Sequence, residues 1–505
     1  MPRCTLLAVT CLLCLAQLAC SADAVTTDPP KQAPPDTTPK TGSLVVKIDE
    51  HGNGRDADGV MVSLDGAPVR VLSEDAPLTF DSLAVGQHSL RLARPAPQCV
   101  STTDSAFATV HALATDTVHI AMTCLGGIAY HAFIPPQEYD IKYLGEDGRT
   151  TTVVGGPGIK FISGWSPDGS RLAYRVLSGN YFSSYTVRLD GTDAHKISTA
   201  LQNGGGSWSP DGSHVAFWET DYASRYTSWI TMSDPAGSSQ RVLVDKLAED
   251  IDPVWSADGS HMFFACGRFT RSYDLCTAAI DGTGLQKLRY PELEALCAGG
   301  CSSSVTHPQA SPDGRAVSFL VFEPAPNGME RVWIGKPDGS SAVAASGTTR
   351  SFDHRWSPKG DRLLLSLWDG GTSYTLGTVD RDGKNFRQLG SFSDGDEQAS
   401  WSPDGALIAF DNSKGDGQQI WVMNADGTSR YKITAGVPEK FAPLWNPKAH
   451  PFGVLTGGGS LHVDSRGASP SVARGGARDM SSDRSTACHP TYVGGRVGTI
   501  CASTP

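Results

Sequence analysis

Positive charge is scarce in this chain: 42 Lys and Arg stand against 53 Asp and Glu in 505 residues, giving a net charge of −11. That balance repels phosphate backbones, and no polybasic block could hold an anionic membrane, so nucleic acid is not an expected partner. Long apolar runs are also missing. After the first twenty residues none approaches the ~20 needed to span a bilayer as a helix. Three catalytic signatures are absent: the nucleophile elbow G-x-S-x-G, the zinc pattern HExxH and the phosphate loop GxxxxGK[ST]. No CxxC pair occurs beyond residue 20, which leaves little for a zinc site. Glycine and proline, by contrast, number 55 and 32. A chain so rich in turn formers favours many short strands over long helices.

The two ends read differently from the middle. Met1-Pro2-Arg3 puts one positive charge before an apolar stretch from Leu6 to Ala19, the order of a secretory signal's first two regions, here residues 1–19. Ala19-Cys20 resembles the cleavage site of bacterial lipoproteins, which implies a lipid on the Cys20 thiol. Gln17 stands where that family has Leu, and cleavage after Ala22-Asp23-Ala24 is the other reading. Residues 25–41 hold five prolines and five threonines, so 20–41 reads as an anchor with an extended linker. Residues 458–505 are rich in Gly, Ser, Thr and Arg and have few groups to bury, which predicts a disordered tail. Eight of the twelve cysteines lie outside the export segment. Cys99, Cys124, Cys266, Cys276, Cys297, Cys301, Cys488 and Cys501 fall in sequence-local pairs, the pattern of four disulfides in an oxidising compartment.

Residues 42–124 alternate apolar and polar at Leu44 to Ile48, Val60 to Leu64 and His88 to Leu92, each stretch bounded by Gly, Asp or Pro. They read as strands of a small sandwich, with Asp65-Gly66 as a tight turn and a bond between Cys99 and Cys124 tying two strands. The segments VSLDG and FDSLAVGQHSLRL resemble PEGA-type or carboxypeptidase-regulatory modules of bacterial surface proteins. Asp49, Asp56 and Asp58 lack the calcium-loop spacing and read as a solvated hairpin loop.

The middle repeats itself. WSPDG begins at Trp165, Trp208 and Trp401, with variants at Trp255, Ala310, Trp356 and Trp445, spaced by 43, 47, 55, 46, 45 and 44 residues. An apolar run follows most copies, and a second Asp-Gly pair closes most units, as at Asp190-Gly191 and Asp426-Gly427. In the SPDG turn, Pro suits the second position and Gly the fourth. The later Asp-Gly pairs are read as two-residue hairpin turns. Two hairpins per unit mean four antiparallel strands, and radial repetition of such units makes a propeller, with a solenoid as the alternative. Ile128 to Tyr130 and Asp147-Gly148 supply later strands of a unit whose first strand is the stretch ending at Trp445. The expected fold is therefore all-β: a seven-bladed β-propeller over 125–457, closed by strands from both ends and preceded by the small sandwich. The pattern from Trp401 to Thr434 resembles TolB-type, WD-repeat-like propellers. In TolB itself, a six-bladed propeller stands behind an α/β domain, so its particular partners are not implied here.

The position three residues ahead of each Trp slot should line the far mouth of the channel: Ile162, Gly205, Asp252, His307, Asp353, Gln398 and Ala442. Asp252, His307, Asp353 and Gln398 make one side polar, and His354 and Glu397 lie one residue away. A concave site with converging polar groups is the default ligand site of such a fold. Two functions follow. One is a non-enzymatic, exported lipoprotein, expected as a monomer without cofactor, that engages an envelope protein, peptide or glycan and touches the membrane through its lipid alone. The other is a metal-dependent enzyme resembling oligogalacturonate-lyase propellers, in which His307, His354 and Gln398 with a carboxylate hold a divalent ion. The prolyl-oligopeptidase reading is disfavoured by the ~50 residues that follow the last repeat. The insertion from Arg289 to Thr306, with Cys297 and Cys301, reads as a stapled protruding loop.

Overall fold

Alternation decides the first domain. In the computed structural model, strand Thr41–Gly52 buries Leu44, Val46 and Ile48 on one face and pairs in parallel with Thr115–Cys124, setting Val46 beside Val118. Leu78–Ala84, Cys99–Ser101 and His462–Asp464 complete that sheet, the last pairing antiparallel with Thr115–Cys124. A second sheet of Arg70–Leu72, Val60–Leu64, Gly86–Ala93 and Ser105–Val110 turns Val60, Val62, Leu64 and Leu90 inward against it. The expected strands are in place. Cys99 and Cys124 are bonded across the first sheet. Asp65 and Gly66 both take left-handed backbone, at φ 51° and 76°, as a mirror-image hairpin turn requires.

The structure describes residues 41–449 except 53–58, 74–75, 94–98, 102–104, 199–201, 222–226, 248–251, 268–273, 297–303, 324–328, 346–349, 369–372, 394–397 and 414–416. Beyond 449 it describes the strands His462–Asp464, Cys488–Val493 and Arg496–Cys501. The signal segment, Cys20, the linker up to residue 40, Asp56, Asp58, Glu397, Cys297 and Cys301 lie outside the described residues. Cys488 stands opposite Cys501 in the terminal hairpin. A second described disulfide joins Cys266 to Cys276.

From residue 128 to 445 the chain forms mostly antiparallel four-stranded units; the units of Ile128–Val154 and Ile159–Lys196 join in one eight-stranded sheet through a parallel bridge of Tyr139 to Ile159, and the next sheet counts five strands because its first strand is in two pieces, Gln202–Asn203 and Ser207–Trp208. Ser304–Ala310, Val317–Phe322, Glu330–Gly335 and Ala342–Ala344 make one; Arg350–Trp356, Arg362–Trp368, Ser373–Asp380 and Arg387–Ser393 make the next. The first strand of each sheet leads into the SPDG turn. In that turn Gly169 N donates to Ser166 O at 2.8 Å and Asp168 Oδ1 accepts from Ser170 N at 3.1 Å, and the same bonds recur at Ser209 to Ser213 and Ser256 to Ser260. The turns lean on one another. A Cβ at Gly212, whose φ is 72°, would stand 3.5 Å from Pro167 in the preceding turn, and Gly259 and Gly405 face Pro210 and Pro358 in the same way.

The second turn differs from expectation. At Arg188 to Thr192 only Gly191 is left-handed; Asp190 is not, and its Oδ1 accepts from Thr192 N at 2.9 Å. The loop is thus three residues, a type I turn finished by a glycine bulge, because the aspartate caps the backbone rather than adopting the glycine's conformation.

The first and last strands meet. Lys440–Trp445 pairs antiparallel with Ile128–Ile134, setting Trp445 opposite Ile128 and Phe441 opposite His131. Glu138–Leu144 and Thr150–Val154 continue outward from Ile128–Ile134. The slot tryptophans pack between sheets. Trp255 lies with Ala216, Ile230 and Met232 of the preceding repeat, and Trp401 with Leu364, Leu376 and Leu389. The insertion after Arg289 starts otherwise than expected. Tyr290 is fully buried with its hydroxyl donating to Lys336 O at 2.9 Å, and the short helix Pro291–Leu296 buries Leu293 and offers Glu292 Oε2 to Ala342 N. Its described part is packed onto a sheet because the tyrosine and leucine supply apolar area to bury.

Candidate functional site

A kink recurs in the first strands. The ladder shifts register between Ile162 and Gly164, Thr306 and Gln309, Ser351 and Asp353, and Phe441 and Leu444. At this place Asp252, His307 and Ala442 take left-handed backbone, at φ 35°, 49° and 53°. Each precedes a proline, Pro253, Pro308 or Pro443. Proline disfavours the right-handed region for the residue before it, so a strand that must curl there is left with the left-handed one. Such backbone costs about 1–3 kcal/mol per non-glycine residue. That the same kink occurs at Ala442 means it belongs to the repeat; what varies is the side chain it presents.

Two neighbouring repeats use it to bring Asp252 and His307 together. His307 Nε2 lies 3.8 Å from Asp252 Oδ2, with side chains 63% and 35% exposed. Asp353, in the next repeat, accepts from His354 N at 2.8 Å and stands 3.6 Å from Arg355 Nε. Gln398 is exposed and, among the described residues, has no hydrogen bond to the other four.

His354 is a correction. The expectation placed it beside the channel, but it is 1% exposed. Successive strand residues face opposite sides, so Asp353 and His354 diverge. Burial pushes the His354 imidazole down to about 4; Asp353 opposes the shift, while the His307 and Arg355 charges add to it. His307, His354 and Gln398 therefore do not converge as a ligand set. Among the described residues no three of His, Cys, Asp and Glu stand where they could hold a metal. Gln309, absent from the expected site, links this region: its Nε2 donates to His354 O at 2.6 Å, and its own carbonyl accepts from Trp356 Nε1 at 3.1 Å.

Where the first and last strands meet, the surroundings are aromatic. Around Ile162 and Ala442 lie Tyr139, Phe161 and Phe441, with ring centroids 6.4, 6.1 and 5.2 Å from buried His131. His131 Nε2 accepts from Ile162 N at 2.9 Å, which places the proton on Nδ1. Burial, and then the charge of Arg175, push this imidazole down to about 3. Arg175 lies over Phe161 and Phe182 at 5.3 and 4.8 Å. Two buried lysines, five residues ahead of their tryptophans, fasten the connections into these strands. Lys440 Nζ donates to Ala435 O, Gly436 O and Pro438 O at 3.0, 3.0 and 2.7 Å. Lys160 Nζ donates to Gly156 O and lies 3.7 Å from Asp140. The shared offset of Lys160 and Lys440 was the signal available in the sequence.

Residues 267–464 match the family model of the TolB beta propeller domain. An uncharacterized protein of Agrobacterium fabrum, Atu1656, is 27% identical over 262 residues, 49% of this chain and 82% of that relative. The uncharacterized peptidase YuxL of Bacillus subtilis is 32% identical over 121 residues, 23% of this chain. The Tol-Pal system protein TolB of an Anaeromyxobacter species is 30% identical over 107 residues, 21% of this chain. The chain spans 18% of the length of YuxL and 24% of that TolB. The fold is all-β, with four-stranded sheets of the TolB propeller type.

Proposed function

We propose that the repeats close into a seven-bladed ring and that the chain is an exported, non-enzymatic binding or scaffolding module, whose polar arc at Asp252, His307 and Asp353 engages an envelope protein, peptide or glycan. Closure is supported at three levels on one seam: the pairing of Lys440–Trp445 with Ile128–Ile134, the Trp165 indole donating to Leu444 O at 3.3 Å, and Asn446 Nδ2 donating to Gly169 O at 2.9 Å. The observation that carries the recognition reading is the Asp252 and His307 pair. Two strained backbones hold an acid and an imidazole side by side and partly exposed, and strain of this kind gathers at functional sites. Cys20 is proposed to carry the lipid, with 42–124 as a PEGA-like module between anchor and ring.

The test is crosslinking capture in native envelopes with Asp252, His307, Asp353 and Gln398 all replaced by Ala. Capture is expected to vanish while the melting temperature holds. Unaltered capture would move the site elsewhere. In a second arm, Cys20→Ala is expected to leave the membrane fraction; retention there would end the lipid reading. Among the described residues no grouping of His, Cys, Asp and Glu favours the metal-dependent alternative.

A further inference from the structure

One interface of the ring is built differently. Where repeats carry a slot tryptophan, its indole packs against the preceding sheet, and four donate their N–H to the same carbonyl of that sheet's first strand. Trp165 donates to Leu444 O at 3.3 Å, Trp255 to Ser207 O at 2.9 Å, Trp356 to Gln309 O at 3.1 Å and Trp401 to Arg355 O at 3.2 Å. In the fourth repeat the slot holds Ala310, so the equivalent carbonyl, that of Val254, receives no indole from it. Part of the missing volume is supplied from the facing sheet. Phe263 stands where other repeats carry Ala173, Ala216, Ser318, Leu364 or Ala409, and it packs with Val254 and Ala310.

The rest is a pocket. A cavity of about 390 Å³ opens at the SPDG end of these strands, lined among others by Trp208, Pro210, Val254, Trp255, Ala310 and Pro312. Its volume falls within the ~300–1,000 Å³ of ligand sites. No charged side chain lines it, in a chain of net charge −11. Its walls are flat rings and small side chains, with main-chain carbonyl and hydroxyl groups between them.

We propose that this pocket is a binding site for an indole, free or carried by a tryptophan side chain, which lies against Ala310 and donates its N–H to the Val254 carbonyl. The ring itself supplies the template, since four sister interfaces seat an indole in that orientation. The polar arc is separate, three residues back along the strands toward the other mouth, and the proposal needs only repeats two to four side by side. It therefore stands or falls apart from the recognition reading.

The test uses the full chain and four compounds: 5-fluoroindole followed by ¹⁹F NMR, and indole, N-methylindole and N-acetyltryptophanamide as competitors. Saturable binding of 5-fluoroindole is expected, with N-methylindole at least tenfold weaker because it lacks the donor. Ala310→Trp should abolish binding. Should that variant fail to fold against Phe263, Ala310→Trp with Phe263→Ala restores the pattern of the sister interfaces and should also bind nothing. Competition by N-acetyltryptophanamide as strong as by indole assigns the pocket to a peptide; competition by indole alone assigns it to the free molecule. The quadruple variant of the polar arc should bind the probe as the natural chain does. No binding at millimolar probe, equal affinity for N-methylindole, or undiminished binding in the filled variants would each overturn the proposal.

Discussion

The polar strands around Asp252 and His307 and the strands at the seam carry the same backbone kink and use it differently. In the third and fourth repeats it presents Asp252 and His307 to solvent; beside the seam it presents Ala442, next to Phe441 and the rings around His131. Strain of one kind thus leaves an acid and an imidazole open to solvent on one side and accompanies dense packing on the other. The comparison shows that an unusual φ locates a feature of the repeat, while its side chain decides whether the feature has a use.

The contrast can be pressed from both sides, beginning where the effect should be greatest. Phe441→Ala removes a ring packed on His131 and Tyr139, and should lower stability by about 3–5 kcal/mol in urea unfolding. A loss below about 1 kcal/mol would mean that the aromatic side is no better packed than the polar one. Next is pH. His131 and His354 are held neutral, at about 3 and about 4, against an ordinary 6.5. The unfolded chain then binds protons that the folded chain refuses, so stability is complete above about 6.5 and falls as pH drops toward 4. His354→Gln should lose less stability between pH 7 and pH 5 than the natural chain. An equal loss would place the acid sensitivity on other groups. The smallest effect belongs to the kink. Asp252→Gly or His307→Gly relieves left-handed strain at the cost of added freedom in the unfolded chain, for a net gain of up to about 1 kcal/mol. A clear loss of stability in either variant would show that the carboxylate and imidazole hold the strand in place, and would erase the distinction between the two sides.

Much of this architecture was legible in the sequence because repetition amplifies weak signals. A single SPDG is a turn; seven near-copies 43 to 55 residues apart specify strand length, sheet size and the pairing of the two ends. Counting three residues back from each tryptophan also found Asp252 and His307. It did not extend to His354, one residue from that row, because successive strand residues face opposite sides and His354 turns into the sheet. The prolines at 253, 308 and 443 announced that kink, yet their meaning appears only when a left-handed residue is seen before each. The pocket at Ala310 was visible as a missing tryptophan. That Phe263 refills part of it requires knowing which sheets face each other.

The interlocked turns also govern how such a chain can change over time. With the glycine of each turn seated on its neighbour, on proline at Gly212, Gly259 and Gly405, an inserted residue there would wedge adjacent units apart, so added length is better accommodated at the opposite end of the strands. The longest spacing, 55 residues between Trp255 and Ala310, follows that rule: its extra segment, with the helix Pro291–Leu296, enters after the fourth strand of a sheet. One rim is thus held by turn-to-turn contacts, and the other leaves room for added segments.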